Sequence, residues 1–382
     1  MTRLAAPLYP VVTMNATRPV TRTIPLSRCF VSPEVEEAAL RALRSGQYIL
    51  GPECRAFEAE LATYTGAAHV VLGSSWTMLV HLFHVALGLK PGDEVIVPSH
   101  TAFPTIEPLL HAGAVPVFAD IDDSYGVDVE QIESLLTPRT VGIIPVHLYG
   151  HPVNLDRVLA IAGDRGLWVL EDCAQALGAR YKGTPVGSFA HVGAFSFYPS
   201  KNLTVLGDGG CLTTNDEALA DKLRMLRNHG RKGKYRHEFA GFNVRFNEIQ
   251  GAIGRVMLRH LDRFNDHRRA IAARYTERLS GLAVPPPEQP WARAVYHMYV
   301  VRVRRRDELQ KFLGERGIET GVHYPVPNHQ QPAVTSRFDN LPRLPKTEQV
   351  VHEILSLPIH GEMPLSDVDA VCEAIGEFYA KA

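Results

Sequence analysis

The chain has 382 residues and is 45% hydrophobic, enough to build a sizeable core without a disulfide or metal framework. Its 40 Lys and Arg nearly balance 41 Asp and Glu, for a formal net charge of −1. That balance argues against a nucleic-acid or anionic-membrane partner, both of which favour a basic excess.

Cysteines stand at 29, 54, 173, 211 and 372 without C-x-x-C spacing, so neither a metal site nor a redox motif is expected, and scattered thiols suit a reducing compartment. No apolar run reaches the ~20 residues of a membrane span. Residues 1–23 lack the apolar centre of a signal peptide and read as a tail. A cytoplasmic protein is expected.

Helix signals begin at residue 32. "SPEVEEAALRALRSG" has a capping serine, a proline at the first helical position, early acids and a terminal glycine. "PECRAFEAELATYTG" forms a second helix. Strands and helices then alternate: "HVVLG" and "TMLVHLFHVALGL", "DEVIVPS" and "TAFPTIEPLLHAG", "VPVFADI" and "DVEQIESLL", "TVGIIPVH" and "NLDRVLAIAGDRG", then "LWVLED". Apolar strands without alternation, separated by helices, predict an α/β chain whose mostly parallel sheet is covered on both faces. From residue 247, "NEIQGAIGRVMLRHLDRFNDHRRAIAARYTERLSG" reads as one long helix. The proline-rich "AVPPPEQP", a strand in "HMYVVRVR" and helices in "RDELQKFLGERGI" and "LSDVDAVCEAIGEFYAKA" follow. The basic run beginning at Arg302 opens one of these helices as a solvated face. The expected units are 24–254, large, and 255–382, small.

Candidate chemistry sits at strand ends. In "HVVLGSSWTMLV" a strand passes through Ser74, Ser75 and Thr77 into a helix, whose free N–H groups suit a phosphate or simply need capping. "LWVLED" places Glu171 and Asp172 at the carboxyl end of a buried strand, where ligands bind in doubly wound sheets. "VGAFSFYPSKN" brings Lys201 to a similar end, where desolvation would lower its pKa and favour a Schiff base. Phosphate cradle, carboxylate and amine together suit pyridoxal phosphate (PLP).

The stretches "SGQYILGPECRAFEAELATYTGA", "EDCAQALGARYKGTPVG", "FSFYPSKNLTVLGDGGCLTTND", "GFNVRFNEIQGAI" and "GVHYPVPNHQQP" carry a resemblance over about residues 24–380. The chain resembles the DegT/StrS family of PLP-dependent sugar aminotransferases, with the aspartate aminotransferase type of fold. The resemblance implies a large PLP-binding domain, its mostly parallel sheet sandwiched by helices, and a smaller C-terminal α/β domain. It implies that Lys201 holds the cofactor aldehyde, Asp172 pairs with the ring nitrogen and Gln175 meets the ring hydroxyl. Ser75, the Trp76 backbone, Thr77 and Ser196 would take the phosphate. Asn243 would reach it from a second subunit of a homodimer. Tyr48, His323 and Tyr324 would approach the substrate. The implied partners are a nucleotide-linked keto-sugar and glutamate or glutamine as amino donor; no metal is implied. Arg231, Lys232 and Arg245 could draw the acceptor's phosphates or serve as plain surface charges, and His147 could line the pocket or serve the sheet.

The sequence departs from the family twice. Trp76 stands where the family's phosphate turn has glycine, and Ala102 where it has an aromatic that stacks on the ring, leaving Phe103 as the candidate for stacking. A keto-inositol acceptor, a dehydratase and a non-catalytic sensor or scaffold are the other readings; the dehydratase branch carries histidine in place of Lys201.

Overall fold

A computed structural model describes residues 23–381. The rest of the expected tail, residues 1–22, lies outside the described residues.

Helix α1, Pro33–Arg44, starts where Ser32 Oγ accepts from the Val35 N–H, and α2, Pro52–Thr65, stops at Gly66 in a left-handed turn. The central sheet is built from β1 His69–Gly73, β2 Glu94–Pro98, β3 Val115–Ala119, β4 Thr140–Ile143, β5 Trp168–Asp172, β6 Val192–Ser196 and β7 Gly210–Thr214. Its order is β1-β7-β6-β5-β4-β2-β3. Pairs from β3 to β6 are parallel, whereas β7 runs against both β6 and β1. Every residue of β2 and β7 is buried, as expected of strands covered on both faces.

Strand alternation feeds two cores. Val70, Leu72 and Phe195 face one, with α2 and the first half of the long helix; Val71, Ala194 and Leu212 face the other, beneath α3, Trp76–Leu87.

Two local expectations are refined and one strand was not anticipated. In "TAFPTIEPLLHAG" the helix expected after the first proline forms as α4, Glu107–Ala112, but starts later than expected, behind a 3-10 turn at Phe103–Thr105. Pro104 and Pro108 each remove an N–H and dictate where a turn can start. The helix anticipated over 128–136 shrinks to one turn, Ile132–Leu135. The strand Gly210–Thr214, with its two threonines, carried too weak an apolar signal to be anticipated.

The long helix spans Glu248–Arg278. Its residues Ala252–Leu261 enter the first core, and Ile271, Ala272 and Tyr275 enter another, beside strands Tyr299–Arg302 and Ile354–Leu357 and helix Leu365–Ala380. The division anticipated after residue 254 falls inside this helix.

Candidate active site

The carboxyl end of β5, the loop after β6 and the start of α3 meet around a cavity of about 330 Å³, with Asp172, Lys201, Thr77 and Ser196 in its wall. Each element delivers its side chain for a local reason. Ser75 caps α3, its Oγ accepting from the Met78 N–H at 3.3 Å. The N–H groups of Trp76 and Thr77, on the first turn, therefore have no carbonyl within the helix to bond. Gly210 abuts this turn: a Cβ there would stand 3.1 Å from the Trp76 nitrogen and 2.6 Å from the Phe195 oxygen.

Glu171 and Asp172 are consecutive and both buried, yet they serve opposite faces. Glu171 accepts from the Gly187, Phe189 and Ala190 N–H groups at 2.8–3.0 Å and lies 3.2 Å from His147 Nε2. His147, Glu171 and Cys173 are close together, but these bonds already engage the carboxylate, and His147 Nδ1 accepts from the Val153 N–H. His147 is thus a strut of the sheet. Asp172 lines the cavity, accepting from Thr105 Oγ1 at 2.9 Å and from the Ala174 N–H at 3.0 Å. Burial pushes its pKa up, opposed by those two bonds and by the Lys201 charge.

Lys201 Nζ has no hydrogen-bond or ion-pair partner among the described residues. Burial pulls its pKa from 10.5 down to about 8, and the nearby Asp172 charge opposes the fall. The next residue, Asn202, fixes the loop: its amide donates to Asn265 Oδ1 at 2.7 Å and to the Val295 carbonyl at 3.2 Å. An unpartnered amine, a buried carboxylate and a helix N-terminus with free N–H groups are what PLP requires, so the residues fit that cofactor.

The remaining anticipated residues divide. Trp76 lines the cavity, but its indole is 6% exposed and donates to the Ala194 carbonyl at 3.0 Å. Phe103 packs against the core under α3, while its neighbours Ala102 and Pro104 face the cavity. Gln175 sits one residue beyond Ala174 in the wall, accepting from the Tyr149 N–H at 2.6 Å and donating to the Tyr324 hydroxyl at 3.1 Å. Tyr324 has its pKa pushed up to about 12 by burial and then by the Asp172 charge. His323 bonds Ser356 Oγ at 2.9 Å, and its pKa is lowered by burial and then by Lys201. Both therefore belong to the electrostatic neighbourhood of the cavity.

Tyr48 and Asn243 do not reach the cavity of their own chain; both are exposed. Asn243 Oδ1 accepts from Arg245 Nε at 3.0 Å, and Arg231 and Lys232 form a short hairpin with Arg236 and His237. Sequence reading missed Thr105, Asn202, Tyr198 and Asp208. Thr105 lay inside an anticipated helix, and the others had no pattern to mark them.

Comparison with known proteins places this geometry. The model of the DegT/DnrJ/EryC1/StrS aminotransferase family matches residues 31–376. The chain is 45% identical over 342 residues to the erythromycin biosynthesis sensory transduction protein EryC1 of Saccharopolyspora erythraea, covering 88% of this chain and 93% of that one. It is likewise 45% identical to the dTDP-3-amino-3,4,6-trideoxy-alpha-D-glucose transaminase of Streptomyces venezuelae, over 89% and 92% of the two chains. The crystal structure of S. venezuelae DesV superposes with a TM-score of 0.88 at 43% identity, covering 90% of this chain and 94% of that chain.

Proposed function

Because the chain belongs to the DegT/DnrJ/EryC1/StrS aminotransferase family, we propose that it is a PLP-dependent transaminase of amino-sugar biosynthesis, carrying an amino group from glutamate or glutamine to a nucleotide-linked keto-sugar. The observation that carries the reading is one cavity walled by the unpartnered Lys201 amine, the Asp172 carboxylate and the start of α3. The S. venezuelae relative, named for a dTDP-sugar, supports a nucleotide-linked acceptor.

PLP, when bound, supplies an aldehyde that takes up the donor's amino group and a ring that draws electrons from the donor's α-carbon. The chain's residues supply the rest. The Trp76 and Thr77 N–H groups, with the Ser75, Thr77 and Ser196 hydroxyls, would hold the phosphate. Asp172, steadied by Thr105 and Ala174, would keep a proton on the ring nitrogen. Gln175 would approach the ring hydroxyl, with its orientation set by Tyr149 and Tyr324. Lys201 Nζ, with a pKa of about 8, is a free amine in part near neutrality and takes a proton from the donor's α-carbon. Trp76 and core-packed Phe103 leave the ring's stacking partner to the wall around Ala102 and Pro104.

The reading includes a homodimer in which Asn243 and Tyr48 serve the neighbour's site, His323 and Tyr324 at the substrate, and domains 24–254 and 255–382. It also includes a cytoplasmic location, consistent with five unpaired thiols; no described helix is long and apolar enough to cross a membrane.

The test incubates the PLP-loaded protein with glutamate and a panel of dTDP- and UDP-linked keto-sugars, following 2-oxoglutarate and the aminated sugar. Turnover with at least one acceptor, abolished in Lys201→Ala, is expected. Turnover that survives in Lys201→Ala, or an unaminated panel, overturns the reading.

A further inference from the structure

Asn202, the residue after Lys201, belongs to a closed set of buried polar groups beside the cavity. Asn202, Asn265 and His297 are none of them more than 9% exposed. They come from three places: the Lys201 loop, the middle of the long helix and the segment before the strand Tyr299–Arg302. Burying two amides and an imidazole is costly unless their hydrogen bonds are made.

The direction of each bond is set by a carbonyl at the far end. Asn265 Nδ2 donates to the Leu177 carbonyl at 3.0 Å, so its Oδ1 is the acceptor for Asn202 Nδ2 at 2.7 Å. Asn202 Nδ2 also donates to the Val295 carbonyl at 3.2 Å, which leaves Asn202 Oδ1 to face His297 Nδ1 at 3.0 Å. An amide oxygen only accepts, so His297 carries its proton on Nδ1. Its Nε2 is buried without a hydrogen-bond partner. Burial, and then the Lys201 charge, hold its pKa well below 6.5, so the ring is a neutral donor. The segment that bears it is tied down as well. Arg268 Nη1 donates to the Tyr296 and His297 carbonyls at 3.3 and 3.1 Å, and the Val295 N–H donates to the Gly150 carbonyl at 3.0 Å.

Lys201 needs such an anchor. Its amine ends a flexible four-carbon stem, and the loop's own contribution is one turn, in which the Lys201 N–H donates to the Tyr198 carbonyl at 2.8 Å. A reacting group displaced by about 1 Å loses rate about 100-fold.

We propose that His297 is a positioning residue for Lys201: its Nδ1–H holds Asn202 against the long helix and so aims the amine into the cavity. The catalytic consequence rests on the transaminase reading, in which Lys201 Nζ must reach the donor's α-carbon.

The test combines hydrogen-exchange mass spectrometry on the cofactor-free protein with single turnovers of the PLP-loaded protein on L-glutamate, followed by cofactor absorbance. Three variants separate the parts of the ring. His297→Phe keeps the bulk and loses both nitrogens, His297→Asn puts an amide N–H near the Nδ1 position, and His297→Gln puts one near Nε2. In His297→Phe, exchange over residues 198–206 should rise about 10-fold or more while other peptides stay near wild type. Its limiting turnover rate should fall about 10-fold or more, with the half-saturating glutamate concentration moving less than about 3-fold. His297→Gln should behave as His297→Phe does, and carries the comparison if His297→Phe does not fold. His297→Asn should recover both readouts to within about 3-fold of wild type. A His297→Asn as slow as the other two, a folded His297→Phe with wild-type exchange and rate, or exchange raised across the whole chain overturns the positioning role while glutamate turnover by the wild type stands. A wild type that converts no glutamate overturns the transaminase reading, and the exchange pattern then decides the role of His297 by itself.

Discussion

Lys201 shows how much chemistry a single residue acquires from its surroundings. Burial brings its pKa to about 8, and Asp172 alone among the nearby charges pulls the other way. Alkylation of Lys201 in the cofactor-free protein, read by peptide mass spectrometry across pH, should therefore show a midpoint near 8 instead of 10.5. Asp172→Asn should move it lower still; an upward move would contradict the arrangement. The sign carries into stability. Between pH 8 and 10.5 the unfolded chain holds the proton that the folded one has released, so this group makes the folded state gain stability as pH rises through that window.

Trp76 is a second case. Its indole ties the phosphate turn to the Ala194 carbonyl, and Ala194 pairs with Asp172 in the sheet register. Trp76→Phe keeps most of the packing and loses this bond, which should cost about 1 kcal/mol in urea denaturation and weaken PLP binding measured by titration. Lys201 and Asp172 were legible because Asp172 ends an apolar strand and Lys201 stands in the loop that follows another. Strand patterning alone left Glu171 and Asp172 open, because the register of β5 decides which faces the ligand; only the family resemblance singled out Asp172. The inward turn of Phe103 was not legible, because tertiary packing chose the face.

At the scale of elements, the site depends on strands approaching too closely for side chains. A Cβ on Gly210 would stand 2.6 Å from the Phe195 oxygen, and neither backbone can yield without opening the β6–β7 ladder. Gly210→Ala should therefore lose cofactor affinity at least 10-fold, measured by PLP titration, in proportion to the shift it imposes on the α3 turn. Glu171 organises the neighbouring loop from the opposite face. Removing it in Glu171→Ala strands the buried Gly187 N–H and the part-buried Phe189 and Ala190 N–H groups and should cost about 3 kcal/mol of unfolding free energy; a loss under about 1 kcal/mol would show that the loop holds itself. The strand–helix alternation that built these elements was readable from apolar runs and caps, and α1, α2, β1 and the long helix lie where the pattern put them. The strand Gly210–Thr214 and the late start of α4 were not readable, since the first takes its identity from its partners and the second from a second proline, Pro108, that sets where the helix begins.

For the whole molecule, the proposed homodimer makes the edge carrying Tyr48 and Asn243 a shared surface, and the exposure of that edge is the observation that supports it. Tyr48 and Ile49 are 54% and 45% exposed, large apolar groups rarely left so open together. Ile49 bridges Asn247, and the Tyr48 carbonyl accepts from the Glu248 N–H, so this segment runs beside the strip that presents Asn243. A two-fold dimer would bring one such edge to each cavity. Each site would then need Lys201 from one subunit and Asn243 from the other, and mixing reveals the difference. Lys201→Ala and Asn243→Ala, each nearly inactive alone, are unfolded together, refolded with PLP and assayed. Random pairing makes about half of the dimers mixed. In a mixed dimer one site has lost both residues and the other keeps both, so about a quarter of the wild-type sites should recover activity. If instead both residues served a cavity of their own chain, mixing would recover nothing, since every subunit would lack one of them. A recovered fraction near a quarter, rising with the share of mixed dimers seen by native mass spectrometry, is the expected result; an unchanged baseline at full mixing overturns the shared site.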